Sequence, residues 1–274
     1  MLSVDEARTR IVDKMHPVAA ETISLAEADG RTLAQHVVAR RTQPPQNVSA
    51  MDGYAVRAAD LAAPAELAVV GEAPAGAPYA GTVEAGQAVR IFTGGSVPTG
   101  ADCVVIQENV EGVGGSVIRI AQRFPEGDNI RLAGVDFTAG DALLAPGHLL
   151  DPSALALIAA MDVSWLSVRR RPKVAILATG DELVKPGHAT APSQIISSTV
   201  YGLAAYLRRW GADPVDLGIA ADTQSSILQA LSQARGCDLL ITLGGASVGD
   251  YDLVRKALTG QGLNLDFWKV AMRP

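Results

Sequence analysis

Apolar residues in the second half of the chain alternate between two patterns. Positions 174–177, 215–219, 239–243 and 265–270 are short, mostly apolar runs, which predicts strands. Between them, 200–210 and 225–234 carry apolar residues at helical spacing. Leu253, Val254, Ala257 and Leu258 continue that spacing in a third stretch from Tyr251. Strands alternating with helices at this interval predict a parallel sheet covered on both faces. Gly211 and Gly236 each fall just past a predicted helix, as C-terminal caps do.

The first half has a different texture. Ser3-Val4-Asp5-Glu6 reads as a capping box, and Val4, Ala7, Ile11 and Met15 follow at helical spacing. A short strand is expected around 22–25 and a second apolar stretch through Val38. Gln43-Pro44-Pro45-Gln46-Asn47 is a turn-rich connector. From about 60 to 130 glycine and proline are frequent, and 88–92 and 103–107 read as strands. Residues 109–115 separate Val104-Val105-Ile106 from Val117-Ile118, which predicts a hairpin with a long turn. Further on, Asp151-Pro152 starts a helix, with Asp as the cap and Pro at the first position. Arg169-Arg170-Arg171-Pro172 marks a boundary, and three like charges in an acidic chain read as a solvated linker.

The fold class is therefore α/β. A doubly wound parallel-sheet domain, 172–274, follows a mixed α+β linker domain, 1–50 plus 133–171. A small β-rich domain, 51–132, is inserted in the linker domain.

Composition narrows the function. The 274 residues carry a net charge of −6, so no basic face is expected for nucleic acid or anionic lipid. The longest apolar region, 142–161, is broken by Pro146, Gly147, His148, Asp151 and Pro152 and cannot span a bilayer as a helix. The opening capping box is not a signal peptide. Cys103 and Cys237 match no zinc or redox spacing and read as reduced, buried thiols, which fits a soluble cytoplasmic protein. The histidines His16, His36, His148 and His188 are scattered, and neither a Gly-x-Ser-x-Gly elbow nor a Walker loop is present.

The chemistry concentrates at strand ends. In open parallel sheets ligands sit at the carboxyl ends of the strands. The first strand here is followed by Thr179-Gly180-Asp181-Glu182 and the second by Ala220-Ala221-Asp222-Thr223. The third is followed by Gly244-Gly245-Ala246-Ser247-Val248-Gly249-Asp250-Tyr251-Asp252. A glycine turn between strand and helix frees backbone N–H groups for an anion. Carboxylates at the same place would repel that anion unless a divalent cation lay between them. The pattern points to phosphate chemistry assisted by a cation. Each acid also has an ordinary reading: Asp222 and Asp250 as helix caps, Asp181 and Glu182 as turn residues. Thr93-Gly94-Gly95-Ser96-Val97-Pro98 is a second glycine turn that either touches a ligand or only turns the chain.

Several of these segments together resemble the molybdopterin molybdotransferase family (MoeA, and the E domain of gephyrin). They are Ser49-Ala50-Met51-Asp52-Gly53-Tyr54-Ala55, Phe92-Thr93-Gly94-Gly95-Ser96-Val97-Pro98, Asn129-Ile130-Arg131, Thr179-Gly180-Asp181-Glu182-Leu183, Gly244 to Gly249 with Asp252, and Phe267-Trp268-Lys269. Their order covers essentially the whole chain. The resemblance implies an L-shaped homodimer whose doubly wound, molybdopterin-binding domain holds adenylated molybdopterin. It implies insertion of molybdate with Mg2+ and release of AMP. Glu182 and Asp222 then correspond to magnesium ligands. Thr179, Gly180, Gly244, Gly245, Ser247 and Gly249 correspond to cofactor-binding positions, and Asp252 to a functional acid. Asp52, Thr93 and Asp136 match family active-site positions that approach from the partner subunit. On the residues alone, Asp52 reads as a turn residue before Gly53 and Asp136 as an exposed loop acid. Contacts with the molybdopterin adenylyltransferase and with downstream molybdoenzymes are also implied.

There are departures. The family continues beyond Ala271-Met272-Arg273-Pro274 with Gly-Lys-Pro and a fourth, β-rich domain, so the doubly wound domain is expected to be incomplete here. Arg273 falls where a basic oxyanion contact is implied. Thr199 stands where the family often has Asn. Two other readings compete: a CinA-like nucleotide pyrophosphatase, which shares the doubly wound domain, and a non-catalytic dimeric scaffold. The Ser-Met-Asp-Gly-Tyr type of segment at Ser49 to Tyr54 speaks against the first. For the second, no receptor-binding signature is visible.

Overall fold

The computed structural model describes residues 1–62, 64–244, 253–260, 262–267 and 270–272. The chain divides into two compact units. One comprises Met1–Ile23, Ala28–Ala34 and Ser167–Pro274; the other comprises Ser24–Glu27 and Gln35–Leu166.

In the first unit, Lys173–Thr179 is the central strand of a three-stranded parallel sheet, with Asp213–Ala220 on one side and Leu239–Leu243 on the other. Every residue from Val174 to Thr179 is buried, as a strand covered on both faces requires. Val174, Ile176 and Ala178 pack on Val200 and Leu207 of the helix Thr199–Arg209. On the opposite face, Leu177 and Ala220 meet Ile227 and Ala230 of the helix Gln224–Ser232. Val254 and Ala257 of Leu253–Gly260 join them there. The sheet is thus doubly wound. Leu177 has no exposed surface, so truncating it to Ala would cost about 2–5 kcal/mol. Gly211 ends its helix at φ +81°, a left-handed conformation that favours glycine.

Two expectations fail in this unit. No strand forms over the described residues 265–267; Val270 makes a single parallel bridge to Leu2, and 268 and 269 lie outside the described residues. Asp266 interrupts the apolar run. Its carboxylate pairs with Lys14 at 3.0 Å and Arg10 at 3.7 Å, which ties the segment to the N-terminal helix Val4–Lys14. The arginine run is not a free linker either. Arg170 binds both Asp238 oxygens at 2.7 and 2.6 Å, and Arg169 donates to the Val18 carbonyl at 3.1 Å.

The second unit contains a six-stranded sheet. Its order is Cys103–Ile106, Gly53–Val56, Gln87–Ile91, Ala65–Ala73, Val117–Ile120, Val110–Glu111. Alternation along Gly53–Val56 feeds two cores. Tyr54 and Val56 join one with Cys103 and Val105, and Ala55 joins the other with Val89 and Val104. The buried Tyr54 hydroxyl accepts from the Gly114 N–H at 3.0 Å. The expected hairpin is shorter than its sequence suggested. Val117–Ile120 pairs with Val110–Glu111, whereas Cys103–Ile106 pairs with Gly53–Val56. A 3-10 turn at Gln107–Asn109 separates the two partners. Elsewhere in this unit, Ala142–Leu144 runs antiparallel to Val37–Val38. The helix Pro152–Ala160 starts as expected, with Asp151 accepting from the Ala154 N–H at 2.7 Å.

Candidate functional site

The parallel sheet changes direction at its central strand. The chain leaves Lys173–Thr179 for one neighbour and later returns to the other, so the two connections diverge at the carboxyl end of that strand. Thr179, Gly180, Glu182, Asp222 and Gly244 all stand at this edge. The Gly180 N–H reaches the Ala220 carbonyl at 3.2 Å, and the Leu183 N–H closes a turn onto the Gly180 carbonyl at 3.2 Å.

Gly180 has φ +147°, and a Cβ there would lie 2.4–2.8 Å from the Glu182 carboxylate. The acid therefore folds back over a position where no side chain fits. Gly244, at φ +100°, comes close to the neighbouring strand end. A Cβ on it would lie 2.5 Å from the Thr179 carbonyl oxygen and 3.0 Å from Thr179 Oγ1. Thr179 is 4% exposed, and its hydroxyl has no hydrogen-bond partner among the described residues. A buried donor left unpaired is costly unless a ligand or water completes it.

The structure removes the helix-cap reading of Asp222. The helix Gln224–Ser232 is capped by Thr223, whose hydroxyl accepts from the Ser226 N–H at 3.2 Å. The Asp222 carboxylate is exposed and does not cap the helix. Its backbone N–H instead donates to Asp181 Oδ1 at 3.0 Å, which joins the first two strand-end loops. Among the described residues no group of three or more His, Cys, Asp or Glu gathers as a metal site. Glu182 and Asp222 supply two hard oxygen donors of the kind magnesium takes. Gly245, Ser247, Gly249, Asp252 and Arg273, and with them Asp250, lie outside the described residues.

The second unit holds the other predicted residues. The strand Val48–Ser49 pairs with Ile130–Arg131, and the Gly94 N–H donates to the Ser49 carbonyl at 2.9 Å. This pairing brings Asp52 to the glycine turn. Asp52 Oδ1 accepts from the Thr93 N–H and the Thr93 hydroxyl, both at 2.8 Å. These bonds, with a smaller contribution from the Arg90 charge, hold the carboxyl below the usual carboxylate range. Gly53 is obligatory beside it, because a Cβ would lie 2.1 Å from the Val105 carbonyl oxygen. Asp136 is an exposed loop acid, and it is paired. Arg131 Nη2 donates to both its oxygens, at 2.9 and 3.2 Å. Sequence reasoning passed over Arg90, whose place in the alternation of Gln87–Ile91 gives no hint that both its aromatic neighbours flank site residues.

Residues 2–161 match the family model described as "MoeA N-terminal region (domain I and II)", and residues 175–274 match "Probable molybdopterin binding domain". The chain belongs to the MoeA family. A MoeA-family relative from Nostoc, named molybdopterin molybdenumtransferase, is 39% identical over 260 residues, covering 93% of this chain and 59% of its own length. One of the same name from Haemophilus influenzae is 34% identical over 276 residues, covering all of this chain and 68% of its own. A crystal structure of the molybdopterin biosynthesis moeA protein from Pyrococcus horikoshii superposes with a TM-score of 0.82 at 31% identity, covering 89% of this chain and 66% of that one. The chain is thus shorter than its MoeA-family relatives and spans about three fifths of the Nostoc protein. Among the described residues no helix is long and apolar enough to cross a membrane.

Proposed function

We propose that this chain carries out molybdenum cofactor synthesis as a molybdopterin molybdotransferase, inserting molybdate into adenylated molybdopterin with release of AMP. The observation that carries this reading is the carboxyl edge of the parallel sheet, which carries Glu182, Asp222, Gly244 and a Thr179 hydroxyl unpartnered among the described residues. Two carboxylates there need a cation if a phosphate is to approach, and glycine backbone leaves room for that approach. The donor set fits magnesium: Glu182 and Asp222 are both exposed and neither has an ion-pair partner among the described residues. When bound, magnesium would draw negative charge from the adenylyl phosphate. Thr179 and the backbone at Gly180 and Gly244 would orient the phosphate.

The family names support the reading at the level of pathway. We assign Asp252, Gly245, Ser247, Gly249 and Arg273 to the same site by resemblance. Asp52, Thr93 and Asp136 are assigned as acids and donor contributed by the partner subunit of a homodimer. The same proposal includes the three-part division into 1–50 with 133–171, 51–132 and 172–274, a cytoplasmic location, and contacts with the adenylyltransferase and with recipient molybdoenzymes.

The test is calorimetric titration of adenylated molybdopterin into wild type and Asp222→Asn, with and without magnesium. Magnesium-dependent binding that the variant loses is expected. Equal binding by both proteins would remove Asp222 from the site.

A further inference from the structure

Arg90 lies beside the Asp52–Thr93 pair, and neither the resemblance nor the relatives' names give it a role. Its guanidinium carbon is 4.9 Å from the centre of the Tyr54 ring and 5.2 Å from that of Phe92. Tyr54 stands two residues after Asp52, and Phe92 immediately precedes Thr93. The guanidinium plane is also engaged. Nη2 donates to Gln107 Oε1 at 2.6 Å, and Nη1 points at the Gly53 carbonyl at 3.5 Å, longer than a firm hydrogen bond. Gln107 in turn donates its backbone N–H to the Asp52 carbonyl at 3.1 Å. One side chain therefore touches or reaches, through a single intermediary, residues 52, 53 and 54 on one segment and residue 92 on the other.

These contacts exploit what is particular to arginine. A planar guanidinium stacks on rings with its faces while it donates from its edge; an ammonium does only one of these well. Among the described residues Arg90 makes no ion pair with an acid. Its charge is left to act on the polar groups around it. Among the described residues this cation thus has two rings, and no carboxylate, in direct contact.

We infer that Arg90 is the positioning residue of the Asp52–Thr93 pair, fixing the segment that carries Asp52 against the turn that carries Thr93. The Thr93 N–H and hydroxyl chiefly favour the ionised form of Asp52, against its partial desolvation, and the Arg90 charge adds a smaller contribution in the same direction. The catalytic consequence rests on the role proposed for Asp52 above; the positional claim does not.

The experiment follows two signals of the free protein by NMR. One is the titration of the Asp52 carboxyl carbon; the other is hydrogen exchange of the Thr93 amide. The proteins are wild type, Arg90→Gln, Arg90→Lys and Gln107→Met. Arg90→Gln is expected to move the Asp52 titration upward and to speed Thr93 exchange roughly tenfold, as loss of an ordered hydrogen bond does. Arg90→Lys restores part of the titration but not the exchange protection, a split that a merely structural role would not produce. Gln107→Met keeps Arg90 and both rings and speeds Thr93 exchange alone. A folded Arg90→Gln protein with both signals unchanged overturns the inference. If Arg90→Gln does not fold, unchanged exchange in Gln107→Met overturns it. Cofactor production by Asp52→Asn tests the functional reading separately, because neither NMR signal depends on catalysis.

Discussion

Asp52 takes two hydrogen bonds from one residue: the backbone N–H and the hydroxyl of Thr93 both donate to its Oδ1 at 2.8 Å. The arrangement stabilises the charged carboxylate, so its pKa lies below the ordinary value. Thr93→Val removes the hydroxyl and keeps the N–H. The Asp52 titration should rise toward that of a free aspartate, and the acid limb of any activity that needs ionised Asp52 should move to higher pH. Activity near neutrality should fall roughly five- to tenfold, because a lost charged hydrogen bond loosens the carboxylate. Thr93→Ser should restore most of it. A pH–rate profile that is the same for Thr93→Val and wild type would exclude this role.

Gly180 and Gly244 separate two kinds of crowding at the sheet edge. A methyl group at Gly180 meets the far end of the Glu182 side chain, which can swing away. Gly180→Ala should therefore fold at a cost of about 1–2 kcal/mol, mostly from its positive φ. On the proposed function, it should also weaken magnesium-dependent ligand binding by displacing Glu182. A methyl at Gly244 meets the Thr179 carbonyl oxygen, which belongs to the central strand and cannot move aside. Gly244→Ala should cost more stability than Gly180→Ala in denaturant titrations. The reverse order would contradict the close approach of the two strand ends.

The sequence made the doubly wound half legible because its strands are buried on both faces. From Val174 to Thr179 every residue is covered, and such a run admits few other readings. The acids after the first two strands were legible for the same reason, since the sheet dictates where its carboxyl edge lies. Thr223 was not. Asp222 and Thr223 are both good caps, and only coordinates show which hydroxyl or carboxylate meets the Ser226 N–H. The pairing of Cys103–Ile106 with Gly53–Val56 was missed because neighbours in sequence suggested a hairpin, whereas burial of Tyr54 and Val105 in one core selected a distant partner. The strand expected near 265 failed because Asp266 finds Lys14. Arg90 left no trace at all, since contact with two rings has no period along the chain.

Arg170 and Asp238 form a two-bonded ion pair in the first unit, with a third bond from the Lys173 N–H to Asp238 at 2.8 Å. The Arg170 bonds first, then the Lys173 N–H, bring the Asp238 carboxyl down to about 2. A depressed folded pKa stabilises above the unfolded value near 3.8, and the contribution is lost as pH falls toward 2. Asp238→Asn should lower the melting midpoint at pH 7 by roughly 2–4 °C, allowing for partial exposure of the pair. At pH 2 the difference between variant and wild type should largely vanish. A midpoint difference that stays constant from pH 7 to pH 2 would show that the pair's charge contributes nothing.

Cys103 and Cys237 should differ sharply in reactivity. Cys103 is fully buried in the core of the six-stranded sheet. Burial first, then the charges of Asp128 and Asp102, pushes its thiol up to about 12. Cys237 is only partly buried. Because the thiolate is the reactive form, a thiol reagent at pH 8 should label Cys237 in the native protein and spare Cys103 until the chain unfolds. The same shift has a sign for stability. A folded pKa raised above the unfolded value contributes fully below the unfolded value, about 8.5, and the contribution is lost as pH rises from there toward 12. Stability should therefore decline over that interval in wild type and decline less steeply in Cys103→Ala, although that variant starts lower because it leaves a small cavity. Equal labelling of both cysteines in the folded protein would mean that the strand Cys103–Ile106 opens far more readily than its burial indicates.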